Sequence, residues 1–483
     1  MSLLRTKSIA SLQAEASAEH GYKRTLGPLS LISLGIGSVV GAGIFVQAGQ
    51  SAALYAGPAI ALSFIVSGIA CLFAGLCYAE LAAMIPVSGS AYTYTYGSLG
   101  EFFAWVVGWC LVLEYLFSGA AVAVSWSGAT RDILREFNVA LPDIIARAPL
   151  DVIDGRLVTT GALINFPAVF ISLLLTYILY IGIKESANFN NLMVIVKVGV
   201  LLALIGYGIW YFFGHRAAVL ANWTPFVPAN TGTFGEFGWS GIFRGAGAIF
   251  FAYVGFDCVS SAAQETKNPQ RDLPIGLLGT LAAVSFLFIA VSLVLTGVVP
   301  YAQLNVDAPF IFALQQIEAP AYFRYLIEAA TLAGLTSVIL VSLLGQPRIF
   351  YSMARDGLLP AYFAKIHPKY GTPHITTWIT GISCAIISGL FPLNVLGELV
   401  SIGTLLAFAL VCAGVLVLRR TQPDLPRPFR TPWVPAVPVL GVVICVLQMF
   451  SLPAVTWINL IVWMGLGLAI YFGYSRRHSH LAR

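Results

Sequence analysis

The chain has 483 residues, 58% of them hydrophobic and only 10% charged, with a formal net charge of +5 and a mean hydropathy of +0.85. Apolar stretches of 18 or more residues recur along nearly the whole length, which excludes a soluble domain and marks a polytopic helical membrane protein. Strand-length alternation is absent, so a barrel is not expected, and the basic balance belongs to membrane-flanking loops, with no nucleic-acid surface.

Residues 1–26 form a polar tail without the apolar core of a cleavable signal, read as a cytoplasmic tail carrying some amphipathic helix. Twelve spans follow, near 28–53, 57–84, 102–130, 163–183, 190–213, 239–263, 275–299, 326–353, 375–391, 394–418, 434–451 and 454–474. An even count puts both termini on one side. Eighteen Lys and Arg residues fall on that side and six on the other (Arg131, Arg135, Arg147, Arg156, Arg216 and Arg324), so both termini are expected in the cytoplasm. The seven cysteines all fall inside apolar spans and read as packing residues. Histidines 20, 215, 367, 374, 478 and 480 lie in tails or loops, and no metal site or cofactor is expected.

Span 1 contains "SLGIGSVVGAGIFVQAG" (33–49), with glycines at 35, 37, 41, 43 and 49. Glycine is a poor helix former, so this segment is expected to break at Gly41 to Gly43. Small-residue helix packing through Gly37 and Gly41 is the competing reading. Span 3 carries Glu114 near its middle, open to three roles: a second proton carrier, a lining of the substrate side-chain path, or a structural hydrogen bond. Span 5 carries Lys197, about 10 Å from the start of the helix at 1.5 Å per residue; snorkelling to the interface is its plain alternative.

Span 6 breaks again within "GAGAIFFAYVGFDCVSS" (245–261), at "AYVGFD". If spans 1–5 and 6–10 are repeats, the two interrupted helices hold corresponding positions, the pointer to an inverted-repeat transporter with a midplane site. The chain directions then leave amides free around Ala42, Gly43 and Ile44 for a carboxylate, and carbonyls near Phe251, Ala252 and Val254 for an ammonium group. Such a cradle suits a zwitterionic amino acid. Asp257 is expected to cap the second half of span 6. Glu80, Glu265, Arg348 and Arg355 are expected to form gate or interface ion pairs, and Arg244 to face the outer vestibule or the headgroups. The boundaries expected are a tail at 1–26, a first repeat at 27–213, a second at 214–419, two further spans at 420–475 and a tail at 476–483.

"GIGSVVGAGIF", "YAELAAMIPVSGSAYTYTY" (78–96), "FFAYVGFD" (250–257), "NPQRDLPIGL" (268–277) and "RIFYSMARDGLLP" (348–360) together resemble the amino acid–polyamine–organocation superfamily. Within it the chain is most similar to the cationic amino acid transporter family in its bacterial form. The resemblance implies an all-α integral membrane protein with a leucine-transporter-like 5+5 inverted repeat, two added C-terminal helices, alternating access and a place in the bacterial inner membrane. It carries substrate contacts onto Val39, Gly41, Ala42, Gly43, Ile44, Phe251, Ala252 and Val254. Alanine at 42 stands where relatives often have a hydroxyl. The resemblance also sets Lys197 against the unwound part of span 1, where a fixed ammonium would replace sodium and couple transport to protons. Ser342 in span 8 aligns with the distal end of the pocket, which tilts the substrate toward cationic or broad L-amino acids, small neutral ones included. Proton symport and amino acid or polyamine exchange both stay open, as does a small accessory membrane subunit. An ion channel is disfavoured by two breaks of opposite direction, and an enzyme by the lack of any catalytic cluster.

Overall fold

The computed structural model describes residues 5–18, 24–87, 89–153, 156–181, 187–370 and 372–482. His20, Lys23, Lys184, Arg483 and the expected end of span 4 at 182–183 lie outside the described residues. Eight helical runs are long and apolar enough to cross a membrane, and four shorter apolar helices accompany them. Gly43–Met84 holds the second half of span 1 and all of span 2, while Pro28–Val39 is the first half of span 1. All twelve expected spans are therefore present. Spans 3 to 12 run Glu101–Glu136, Phe166–Ile181, Ala187–Gly214, Gly238–Ser261, Pro269–Val298, Ala321–Arg355, His374–Leu390, Leu393–Thr421, Ala436–Ser451 and Ala454–His478. One feature departs from the helical expectation: Leu150–Ile153 and Arg156–Thr159, between spans 3 and 4, form an antiparallel hairpin with Leu150 opposite Thr159. Four residues per strand are too few for alternation to register in the sequence.

Local chemistry sets the ends of the helices. Pro269 opens span 7 at the position where a missing amide costs nothing, and the Asp272 carboxylate accepts the Asn268 amide at 3.2 Å. Each of spans 1 to 4 packs against the span five places later, so that 1 meets 6, 2 meets 7, 3 meets 8 and 4 meets 9. Gly35 lies under Thr280 of span 7, where small size permits a close helix crossing. Span 12 leans on span 3 through Trp109 and Trp463, whose rings stack 4.8 Å apart, and the Trp109 indole donates to the Trp463 carbonyl at 2.8 Å.

Both chain ends meet on one face. The tail forms a helix, Ile9–Ala18, with Ile9 and Leu12 buried, and Arg5 donates to the Leu481 carbonyl at 2.6 Å. Lys7 pairs with Asp356 at the end of span 8 (2.9 Å), and the Tyr92 hydroxyl donates to the same carboxylate at 2.7 Å. Glu101 at the start of span 3 accepts from Ser479 and from Tyr471. This face is laced together by ties between distant parts of the chain.

Glu80 is one of the expected interface pairs, and its partners are Arg419 (2.8 Å) and Arg427 (3.2 Å), with the Thr431 amide donating at 2.8 Å. The cluster binds span 2 to span 10 and to the linker before span 11. Glu265 contributes instead through its backbone, its carbonyl accepting the Thr25 and Leu26 amides. Arg348 is exposed and makes no ion pair among the described residues. Glu80→Gln is expected to cost about 1–3 kcal/mol, because it removes the negative charge facing Arg419 and Arg427, while Arg427 keeps its backbone carbonyl acceptors. Thermal unfolding in detergent reads this as a clear drop in melting temperature, and an unchanged melting temperature refutes it.

Candidate functional site

Span 1 stops at Val39, where two consecutive β-branched residues meet a glycine, and Val40 turns extended at φ −73°, ψ 99°. The helix restarts as a wide π-turn, Gly43–Gln47, so the interruption falls at Val40 and Gly41, slightly earlier than the glycines alone suggest. Among the described residues, the amides of Gly41, Ala42, Gly43 and Ile44 donate no hydrogen bond, as the first turn of any helix requires. Span 6 stops at Ile249, continues as a 3₁₀ turn over Phe250–Tyr253 and becomes extended at Val254. Gly255 follows with φ +105° and presses against Ser38 of span 1, a conformation and a fit that favour glycine. The Phe251 carbonyl accepts the Val254 amide at 3.2 Å, while the carbonyls of Ala252 and Val254 accept none among the described residues.

The two interruptions touch. A Cβ on Gly43 would stand 2.3 Å from the Ala252 Cα and 2.5 Å from its Cβ, so only a hydrogen at position 43 allows this approach. Gln47, one turn beyond the break in span 1, donates to the Ala248 carbonyl of span 6 at 2.9 Å. The sequence reading passed over Gln47, although a glutamine within an apolar span was itself a signal. Val39, Ala42, Ile44, Phe251, Ala252 and Val254 are all buried around this contact.

The remaining expected residues fall at several places around spans 1, 3, 6 and 8. Lys197 is 1% exposed, and its ammonium donates to the Gly37 carbonyl at 2.8 Å, just before the end of the first half of span 1. It does not snorkel. Its methylenes and Phe45 lie against Gly334 of span 8. Further along span 8, Val338 covers Gly41, and the buried Ser342 faces Gly119 of span 3, with Cys384 of span 9 beside it. Glu114, also on span 3, accepts the Thr404 hydroxyl at 2.9 Å through Oε2, while Oε1 is buried without a partner. Asp257 departs from the expected cap: its side chain makes no bond to the helix it precedes, and both of its oxygens are buried without partners. It lies within electrostatic range of Glu114.

Above the breaks, Arg244 is buried and does not reach headgroups. It pairs with Glu398 of span 10, lies 4.4 Å from the Tyr55 ring centre and donates to the Tyr55 hydroxyl at 3.2 Å. Glu398 also accepts the Thr456 hydroxyl at 2.7 Å. A cavity of about 1030 Å³ opens on the face opposite the chain ends and reaches down to Val46, Gln47 and Ala248, one turn above the interruptions. The cavity thus comes within one turn of the site from the face opposite the chain ends.

A family model described as "Amino acid permease" matches residues 26–471. The chain belongs to the amino acid permease family. The permease is 44% identical to the branched-chain amino acid permease of Bacillus subtilis (strain 168) over 481 residues, 99% of each chain. It is 44% identical to the methylthioribose transporter of the same organism over 480 residues, again 99% of each. It is 37% identical to the vacuolar cationic amino acid transporter 4 of Arabidopsis thaliana over 427 residues, 88% of this chain and 68% of that one. The permease is a multi-span membrane transporter and not an enzyme.

Gly43→Ala is expected to abolish amino acid binding and transport by the permease, because the new methyl must force the two interruptions apart. Gly199→Ala in span 5, where a Cβ meets nothing within 4 Å, is the matched control and is expected to bind and transport normally. Transport assays of both variants in proteoliposomes check this, and normal uptake by Gly43→Ala contradicts it.

Proposed function

We propose that the protein carries L-α-amino acids across the membrane by alternating access, driven by protons. The observation that carries this reading is the contact of the two interruptions, which brings the free amides of Gly41 to Ile44 beside the free carbonyls of Ala252 and Val254. Amides at a half-helix start attract a carboxylate, and exposed carbonyls accept from an ammonium. Such a site recognises the backbone of an amino acid and leaves the side chain to Ser342 and the walls around it. A small, polar residue at that position supports cationic and small neutral substrates alike. The relatives fit a broad spectrum, one being named for branched-chain and one for cationic amino acids.

Lys197 serves as the proton carrier in this reading, its ammonium holding the end of the first half of span 1 through the Gly37 carbonyl. Loss of the proton frees that half-helix, which is the element that must move for the face with the chain ends to open. Glu114 acts as a second carrier, held by Thr404. The repeats are residues 27–213 and 214–419, which the pairing of spans 1 to 4 with spans 6 to 9 supports. The face with both termini lies in the cytoplasm of a bacterial cell, as the basic loops favour, so the cavity opens outward.

Counterflow and gradient-driven uptake in proteoliposomes test the reading together. The wild type is expected to accumulate L-amino acids when the lumen is made alkaline. Lys197→Ala is expected to lose that response while keeping counterflow, and unchanged pH-driven uptake in the variant would falsify the coupling role. Counterflow that persists while net uptake never responds to pH in the wild type makes the protein an exchanger.

A further inference from the structure

Beyond Tyr471 the chain runs back across the face of the chain ends. Span 12 finishes in a π-turn, Tyr471–Ser475, and three more helical residues, after which Ser479 turns extended at ψ 135°. The Ser475 hydroxyl donates to the Leu358 carbonyl at 2.5 Å, and the His480 amide donates to the Asp356 carbonyl at 3.1 Å, both just past the end of span 8. Gly357 lies between those two carbonyls at φ +79°, and a Cβ there would collide with the His478 carbonyl. Ser479 is buried and donates to Glu101 at the start of span 3, while the Leu481 carbonyl accepts from Arg5 at 2.6 Å. The Arg5 carbonyl in turn accepts the Glu101 amide at 2.9 Å. One short segment thus joins span 3, span 8 and the N-terminal tail.

Two kinds of contact hold this end of span 12. Up to Tyr471 the helix is fixed by packed rings: Tyr471 is buried, with the rings of Phe102 and Trp105 centred 5.6 and 5.8 Å from its own. Past it the ties are polar. Arg476, Arg477, His478 and His480 are exposed, and Leu481 is only partly buried. Moving packed apolar surface into water forfeits its burial, whereas a hydrogen bond at the edge of water is exchanged for one to solvent at modest net cost. Residues 475–482 can therefore come away as a unit and leave the rest of span 12 in place.

We propose that residues 475–482 are a strap that holds the face of the chain ends together and lifts off when the first half of span 1 moves. The proposal rests on the alternating-access reading, and the N-terminal tail, tied through Arg5, leads into that half-helix. Contacts made in one conformation and lost in the other shift the balance toward the first. The docked strap therefore slows opening of this face, and each tie removed speeds it.

Thiol labelling of the purified full-length protein with a water-soluble maleimide, read by mass spectrometry, tests the strap. Cys258, in the second half of span 6, is half-buried, and the other six free cysteines are buried. Opening of the face with the chain ends uncovers Cys258, while unfolding uncovers all seven. Ser479→Ala removes one tie and leaves Glu101 the Tyr96 and Tyr471 hydroxyls, at 3.3 and 3.2 Å, so the acid is not stranded. The variant is expected to label Cys258 about tenfold faster than the wild type, with the other six still unreactive. Gly357→Ala, which presses a methyl on the His478 carbonyl from the span 8 side, is expected to act in the same direction. Arg477→Ala, at an exposed strap position, is the control and is expected to label at the wild-type rate. A wild-type rate at Cys258 in Ser479→Ala, or faster labelling of all seven cysteines, overturns the proposal. Amino acid counterflow in proteoliposomes is expected to run faster in Ser479→Ala than in the wild type, and equal rates overturn the strap's part in the cycle. If neither protein exchanges any amino acid, the transport reading fails while the Cys258 labelling still decides the strap.

Discussion

A helix that stops inside a membrane leaves backbone groups with no partner, and hydrocarbon offers none; each such group costs several kcal/mol if it stays bare. Here two helices stop at the same depth and turn their open ends toward each other, with a glycine hydrogen at position 43 as the only spacer against Ala252. The other features near the site follow from this constraint. Gln47 takes one exposed carbonyl of span 6, Lys197 takes one of span 1, and Gly255 bends the second chain away in a conformation other residues avoid. What remains unpaired is a set of donors and a set of acceptors. A zwitterion is the molecule that satisfies both at once.

The scaffold around the breaks is held by a different chemistry on each face. On the face with the chain ends, charged groups tie the elements together: Lys7 and Tyr92 share Asp356, and Glu80 gathers Arg419, Arg427 and a backbone amide. On the opposite face, the Arg244–Glu398 pair spans the roof of the site beside Tyr55 and leaves a cavity above it. Spans 3 and 8 run between the two faces and pack along each other. They form the natural frame against which spans 1 and 6 can move.

The breaks were legible because two interrupted spans stand at corresponding positions of the two sets of five, which helix packing by the glycines of span 1 alone does not account for. Their register was less so: β-branched Val39 and Val40 end the helix ahead of Gly43, and a π-turn absorbs the difference. Depth alone left Lys197 open to snorkelling, and only the resemblance set it against span 1, where its ammonium takes the Gly37 carbonyl. Pairings were beyond reach. Glu80 and Arg419 lie 339 residues apart, and nothing local in either segment specifies the other. Asp257 misled for a related reason: its position before a helix fits a cap, but a four-residue helix in a crowded interior gives the side chain no amide to accept from.

The clasp between the chain ends also imposes an order in time. Arg5 and Lys7 are made long before their partners on span 8 and at Leu481. Ser479, which donates to Glu101, follows it by 378 residues. Every intermediate of synthesis therefore holds inserted helices with one face still unlatched. That face thus latches only once the segment around Ser479 and Leu481 is in place, and a tag fused beside Arg5 or Leu481 pulls on the same knot.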